Sequence, residues 1–278
     1  MFDRLKRSFY LVGASAQVLR QDRRLLLFPI ISALSLVLVL IAFALPLFGM
    51  ASIDGIKRGG AYSAAFLFYV VQYFIIFYFN TALVGAVMIR LDGGSPSLGD
   101  GLRIANGRIG AILGYAVISA TVGVILRAIQ ERVGFIGRFI AGLLGAGWAV
   151  ATFLVVPVIV TSEGGAMASI SESTALLKRT WGENVAGQVG LNAAFGLLYF
   201  ALGTGAALLT IPLVKMGAAP AWFLLLAAVA VLALLGCMIL HAALTGIYSA
   251  VLYRYAVGGS DAPGFGHEAL ASAFQQKS

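Results

Sequence analysis

The sequence predicts an all-α integral membrane protein with six transmembrane helices, and three observations support this prediction. Of the 278 residues, 60% are apolar and only 11% are charged, whereas an average soluble domain has about a quarter of its residues charged. Six segments are long and apolar enough to cross a bilayer, which takes about 20 residues. None of them contains an aspartate or glutamate. We therefore expect lipid to surround most of the chain.

The six predicted spans follow one another within a single polytopic domain that covers 1–278. They run over 25–50, 62–89, 109–126, 135–161, 186–211 and 221–253. The domain divides into an interfacial helix (1–24), the six spans (25–257) and a cytoplasmic tail (258–278). Because proline lacks an N–H group, Pro157 is expected to kink the fourth span and Pro212 to end the fifth.

Basic residues predict the orientation of these spans. Thirteen of the 19 lysines and arginines lie on the side that holds both termini, and that side should be cytoplasmic. The net charge of +8 therefore indicates topology in an inner (cytoplasmic) membrane and attraction to anionic lipid, rather than nucleic-acid binding. The residues expected to contact anionic lipid are Arg4, Lys6, Arg7, Arg20, Arg23, Arg24, Lys178 and Arg179.

Three spans end alike, which indicates an internal repeat. Gly-Gly pairs at 93–94, 164–165 and 258–259 follow the second, fourth and sixth spans, where a left-handed helix cap is favoured. Segments with amphipathic helical spacing come next, at about 98–106, 167–179 and 267–276, and the chain opens with another. The pattern predicts three parallel hairpin repeats with interfacial helices on the cytoplasmic face. Chance recurrence among 34 glycines is the alternative.

A few polar side chains lie within the predicted spans. The ones singled out as a polar intramembrane site are Asn80, Gln188, Asn192 and His241. A functional interpretation places them around a solute or proton path. The structural interpretation is hydrogen bonding between helices, which we favour because no carboxylate lies in the spans with them. Small residues at every fourth position, such as Gly137, Ala141 and Gly145, indicate tight helix contact, which we expect within one subunit, although the same spacing fits a homo-oligomer interface.

Motifs of known chemistry are missing from the sequence. Two histidines and one cysteine cannot build a zinc site of usual spacing, so no metal, cofactor or catalytic residue is predicted. Asp92 and Glu163, at equivalent repeat positions, form the one acid pair that an enzyme hypothesis can use. We expect instead a non-enzymatic membrane protein that organises lipid or protein partners at the cytoplasmic face. The alternative is a small-solute transporter or permease whose site is formed by the polar residues of the spans.

Three stretches resemble an uncharacterised family of bacterial multi-span membrane proteins. They are Ser15 to Pro29, Val156 to Val160 followed by Glu163 and Ser173 to Trp181, and Leu252 to Ala256. Similar segments occur, more loosely, in the membrane domain attached to glycerophosphodiester phosphodiesterases. The resemblance implies a multi-span fold and supplies no activity, because this chain lacks the phosphodiesterase barrel and its acid–histidine cluster.

Overall fold

A computed structural model of the chain describes residues 15–50, 58–132, 134–179, 184–216 and 219–258. Within these ranges it contains helices and no strand, and six helical stretches are long and apolar enough to cross a membrane. The α-helices are α1 (Leu27–Met50), α2 (Arg58–Leu91), α3 (Leu98–Gly107), α4 (Ile109–Arg132), α5 (Gly134–Ala151), α6 (Val155–Thr161), α7 (Ala166–Arg179), α8 (Asn184–Lys215) and α9 (Pro220–Gly258). The protein is therefore an all-α membrane protein with six candidate spans.

The spans agree with the predicted segments, apart from local differences at their ends. They run over Arg23–Ala44, Ser63–Leu91, Ile109–Glu131, Gly137–Thr161, Gln188–Lys215 and Pro220–Arg254. The prediction that Pro212 ends the fifth span is wrong, because α8 continues to Lys215 with Pro212 inside it. The carbonyl of Pro212 accepts a hydrogen bond from the Met216 N–H, so the last turn still closes around it.

The fourth span is interrupted close to Pro157. A turn over 152–154 separates α5 from α6. Proline clashes with the carbonyl four residues before it, here that of Phe153, which accounts for a break at this place. The buried Ser173 of α7 compensates for the break, because its hydroxyl accepts a hydrogen bond from the Leu154 N–H (3.2 Å) and donates one to the Ala151 carbonyl (2.8 Å).

Short helices precede the hairpins: residues 15–21 come before the first, α3 before the second and α7 before the third. α3 begins with a capping box, in which Ser97 and Asp100 satisfy each other's backbone N–H groups. It buries Gly101 and Ala105, four residues apart, on one face. Residues 15–21 are also helical, and the side chain of Asp22 then caps a short 3-10 helix over Arg23–Leu26. The rest of the first predicted interfacial helix and the predicted helix at 267–276 lie outside the described residues.

The two Gly-Gly pairs that follow α2 and α6 have different backbone conformations. Gly93 is left-handed (φ +83°), its N–H binds the Arg90 carbonyl, and the Gly94 N–H binds the Ile89 carbonyl. This is a Schellman cap, so the cap predicted at the first pair is confirmed. At Gly164 and Gly165 the prediction is wrong, because neither residue has positive φ and an extended Ser162 ends α6.

Side chains connect the ends of α2, α6 and α9, and we call this part of the molecule the Gly-Gly end. The Tyr253 hydroxyl accepts a hydrogen bond of 2.7 Å from Thr161 Oγ1, joining α9 to α6. The next residue, Arg254, forms a 2.5 Å ion pair with Asp92 just beyond α2. The buried core also lies here, with residues such as Leu83, Ile159 and Ile247. The second, fourth and sixth spans therefore end together, as three parallel hairpins require.

The opposite part of the bundle, which we call the far half, turns large apolar side chains outward. Leu208 of α8 is 64% exposed and Leu224 of α9 is 72% exposed. Among the described helices, α8 packs chiefly against α9. Since these side chains belong to membrane spans, lipid is the medium that covers them.

Candidate functional site

A cleft of about 330 Å³ lies between the helices of the first and last hairpins. Residues of α1 and α2 form one wall, residues of α8 form the other, and α9 supplies the floor. Most of the lining surface is apolar, although half of the twelve lining residues are polar: Ser32, Asn80, Asn192, Tyr199, His241 and Thr245. The volume is within the range of roughly 300–1,000 Å³ that is usual for ligand pockets.

His241 is the centre of a hydrogen-bonded chain that joins α8 to α9. Its Nε2 atom lies 3.1 Å from Asn192 Oδ1, and its Nδ1 atom lies 3.1 Å from the Tyr199 hydroxyl. The imidazole also stacks on the ring of Phe195, with centroids 4.3 Å apart and an angle of 10° between the planes. A carbonyl oxygen can only accept, so Nε2 carries the hydrogen; in the neutral ring, Nδ1 then accepts from Tyr199.

Asn80 lines the same cleft from α2, where close helix contact positions it. A Cβ atom on Gly246 of α9 would lie 2.6 Å from Leu83 Cδ2 and 3.1 Å from Asn80 Oδ1. Glycine at position 246 thus lets α9 approach α2 closely enough to place Asn80 opposite the histidine chain.

The structure therefore places three of the four predicted polar residues, Asn80, Asn192 and His241, around one cleft. Gln188 is half-buried near the start of the fifth span and is not among the lining residues. Sequence reasoning missed Tyr199, although it follows Asn192 by seven residues, two helical turns along the same face. That spacing was a signal that could have found it.

Basic residues lie exposed near the Gly-Gly end. Among the predicted anionic-lipid contacts, the exposed side chains are those of Arg20, Arg23, Arg24 and Lys178. α7 ends at Arg179, whereas Arg4, Lys6 and Arg7 lie outside the described residues.

The acidic residues near the Gly-Gly end are engaged in different ways. Asp92, predicted as a partner for Glu163, is paired with Arg254, and Glu163 is exposed. At the start of α3, hydrogen bonds from the Ser97 side chain and backbone hold the pKa of Asp100 below its ordinary value. Within the described part of the chain, no three acidic, histidine or cysteine side chains gather as a metal site needs.

Comparison with known proteins identifies the family. A family model of unknown function, DUF6159, matches residues 60–264. The chain belongs to this family. The match includes α2 to α9 and hence every element of the cleft except its contribution from α1. No curated protein matches the chain significantly, so any activity has to be argued from its own residues.

Proposed function

We propose that this protein binds an uncharged solute in its intramembrane cleft, as a small-solute transporter or permease does. One observation carries the proposal: Asn80, Asn192 and His241, from three different helices, line a single cleft among the membrane spans. If these residues only bonded neighbouring helices, no cleft between them would be needed.

The depth of these residues supports a ligand. Asn80 lies 11 residues before the end of α2, or roughly 16 Å at 1.5 Å per residue, which puts it well inside the bilayer. Asn192 is exposed on the surface of α8 and faces this cleft. A polar group left unpaired in hydrocarbon costs several kcal/mol, so a hydrogen-bonding occupant stabilises this arrangement.

The lining also indicates the charge of the solute. It contains no lysine, arginine, aspartate or glutamate. Both ring nitrogens of His241 already have partners. A charged solute would be desolvated here without a counter-charge, which is strongly unfavourable. The site therefore favours an uncharged molecule.

This proposal can be tested by filling the cleft. Ala242 lines the cleft on α9, whereas Ala228 is exposed on the same helix outside it. Purified protein in dodecyl maltoside is exposed to octyl glucoside, 1,2-dioctanoylglycerol and decylubiquinone, with dioctanoyl phosphatidic acid as the charged comparison, and thermal unfolding is recorded.

At least one uncharged compound should raise the unfolding temperature of the wild type and of Ala228→Trp by several degrees, because binding to the folded state stabilises it. Ala242→Trp should abolish that shift. If no uncharged compound stabilises the wild type, or if Ala242→Trp responds equally, the proposal is wrong.

A second candidate function is the organisation of lipid or protein partners at the cytoplasmic face of a bacterial inner membrane. The exposed Arg20, Arg23 and Arg24 at the start of the first span, together with Lys178, favour it. Under this proposal the Gly-Gly end and both termini are cytoplasmic, and these residues attract anionic lipid.

The second candidate predicts lipid selectivity. Exchanging Arg20, Arg23 and Arg24 together for glutamine should lower the phosphatidylglycerol retained by the purified protein. The change Lys215→Gln, at the far end of α8, serves as the control and should not. Equal retention by both variants would remove the support for this candidate.

A further inference from the structure

We infer that the cleft receives an uncharged amphiphile from the bilayer and binds a carbonyl oxygen of it through the amide N–H groups of Asn80 and Asn192. The inference rests on the proposed function and names the ligand class of the same site. Two features of the cleft support it: the direction of its hydrogen bonds and its opening toward the bilayer.

The histidine chain has one direction. Tyr199 donates to Nδ1 of His241, and Nε2–H donates to Asn192 Oδ1, so the amide oxygen of Asn192 is already used as an acceptor. This side chain still offers two N–H donors on its Nδ2 group and one lone pair on Oδ1, so donors predominate. The α8 wall therefore offers a ligand mainly hydrogen-bond donors, which an acceptor atom of the ligand can satisfy.

Asn80 extends the same pattern across the cleft. Its Oδ1 atom is the part of the amide that lies against Gly246 of α9. The Nδ2 group is bonded to the same carbon and, unlike Oδ1, is not among the three atoms nearest to a Cβ on Gly246. Two amides from opposite walls thus supply N–H donors, a set that matches a carbonyl oxygen, which has two lone pairs.

The cleft opens to lipid rather than to water. Ile76 and Met238 line it near the middle of their spans, and they are 40% and 58% exposed. Since α8 packs chiefly against α9, the gap between α8 and α2 faces the bilayer. Phe79, Leu83 and Met238 supply apolar lining for the body of the ligand.

The ligand is thus a neutral molecule with an apolar body and at least one carbonyl oxygen. Ester lipids and quinones both have this chemistry, so both serve as probes. 1,2-Dioctanoylglycerol and decylubiquinone carry carbonyls, whereas 1,2-di-O-octylglycerol keeps the chains and hydroxyl of the first compound but replaces its esters by ethers.

Full-length protein in dodecyl maltoside is titrated with each compound, and the concentration that gives half the maximal rise in unfolding temperature is recorded. At least one carbonyl compound should bind, and the one that binds shows whether the ligand is an ester lipid or a quinone. Where it is the ester, the ether should need at least about tenfold more, because the acceptor contacts are weakened. Asn80→Leu and Asn192→Leu should each raise the midpoint for the carbonyl compound about tenfold, whereas Gln188→Leu should leave it unchanged.

The outcomes separate this inference from the proposed function. If octyl glucoside stabilises the protein and Ala242→Trp abolishes the effect, but neither carbonyl compound binds, the ligand class is wrong and the binding cleft stands. Equal midpoints for ester and ether overturn the carbonyl assignment, and they are measured on the wild type, so a poorly folding variant cannot obscure them. Asparagine-dependent binding of dioctanoyl phosphatidic acid overturns the neutral class.

Discussion

The Gly-Gly end and the far half of the same bundle are held together in different ways. At the Gly-Gly end, α2, α6 and α9 bury residues such as Leu83, Ile159 and Ile247, and polar side chains join the helix ends. In the far half, the side chains of Leu208 and Leu224 are turned to lipid. All six spans are strongly apolar, so the hydrophobicity of a span does not tell how its two ends are held.

The difference shows where specificity arises in a membrane fold. Lipid is as apolar as leucine, so association depends on close packing and on hydrogen bonds between helices. Those features are concentrated at the Gly-Gly end. Next to this core, the helices of the first and last hairpins separate and leave the cleft between α2 and α8, and Leu83 belongs to both the core and the cleft. We therefore expect mutations at the two regions to differ in their effect on stability.

The largest effect is expected at Gly101 of α3. A Cβ atom there would lie 2.6 Å from the Ala82 carbonyl oxygen and 2.5 Å from Phe28 Cζ, and a backbone oxygen cannot move aside easily. Gly101→Ala should lower the free energy of unfolding by about 3 kcal/mol, as measured by SDS titration in mixed micelles.

The matched control for that change is in the far half. Nothing lies within 4 Å of a Cβ atom placed on Gly203 of α8. Gly203→Ala should leave stability unchanged or raise it slightly, because alanine favours helix. If both variants lost similar stability, the contrast between the two regions would not hold.

The sequence predicted much of this fold because span formation depends on local composition. Six apolar runs without acids defined the six spans, and the left-handed cap at Gly93 followed from the Gly-Gly motif. The second Gly-Gly pair has no left-handed cap at Gly164, because Ser162 ends α6 in an extended conformation. Which backbone conformation ends a helix depends on tertiary contacts, and these cannot be read from one sequence.

The candidate site was predictable only in part. Asn80, Asn192 and His241 are conspicuous because polar groups are rare in spans, but nothing in the sequence indicates that three separate helices bring them together. Their meeting depends on the close approach of α9 to α2 at Gly246, one of many glycines in the chain. The Asp92–Arg254 pair also depends on tertiary structure, because the two residues come from the first and third hairpins.

The second largest effect is expected at the break in the fourth span. Ser173→Ala removes the hydroxyl that bonds both the Leu154 N–H and the Ala151 carbonyl. It leaves the buried Leu154 N–H unpaired, whereas the carbonyl keeps a 3.4 Å hydrogen bond from Thr174 Oγ1. The expected loss is about 2 kcal/mol. Ser169 is the control, since it is equally buried on α7 but bonds only the Gly165 carbonyl of its own segment. Ser169→Ala should cost well under half as much. Equal losses would show that the hydrogen bonds of Ser173 to the break do not stabilise it.

A smaller effect is expected at the capping box of α3. Ser97→Ala removes the N-cap of this helix and should cost about 1 kcal/mol at neutral pH. The pKa of Asp100 is lowered in the folded protein, so its contribution is present above the ordinary aspartate pKa and is lost as pH falls through the folded value. The difference in unfolding temperature between wild type and variant should therefore shrink from pH 7 to pH 3. A difference that stayed constant with pH would show that the carboxylate takes no part.

The smallest effect is expected at Leu224, in the far half. Leu224 is 72% exposed, so its side chain contacts lipid, and an alanine at this position would contact lipid as well. No internal cavity forms, and the free energy of unfolding should change by less than about 0.5 kcal/mol. Leu83, which is 2% exposed at the Gly-Gly end, is the matched position, and Leu83→Ala should cost about 3 kcal/mol, as much as the change at Gly101. A large loss from Leu224→Ala would mean that protein, from this chain or a second copy, covers the far half of α9 in the membrane. The cleft would then be less open to lipid than its lining indicates.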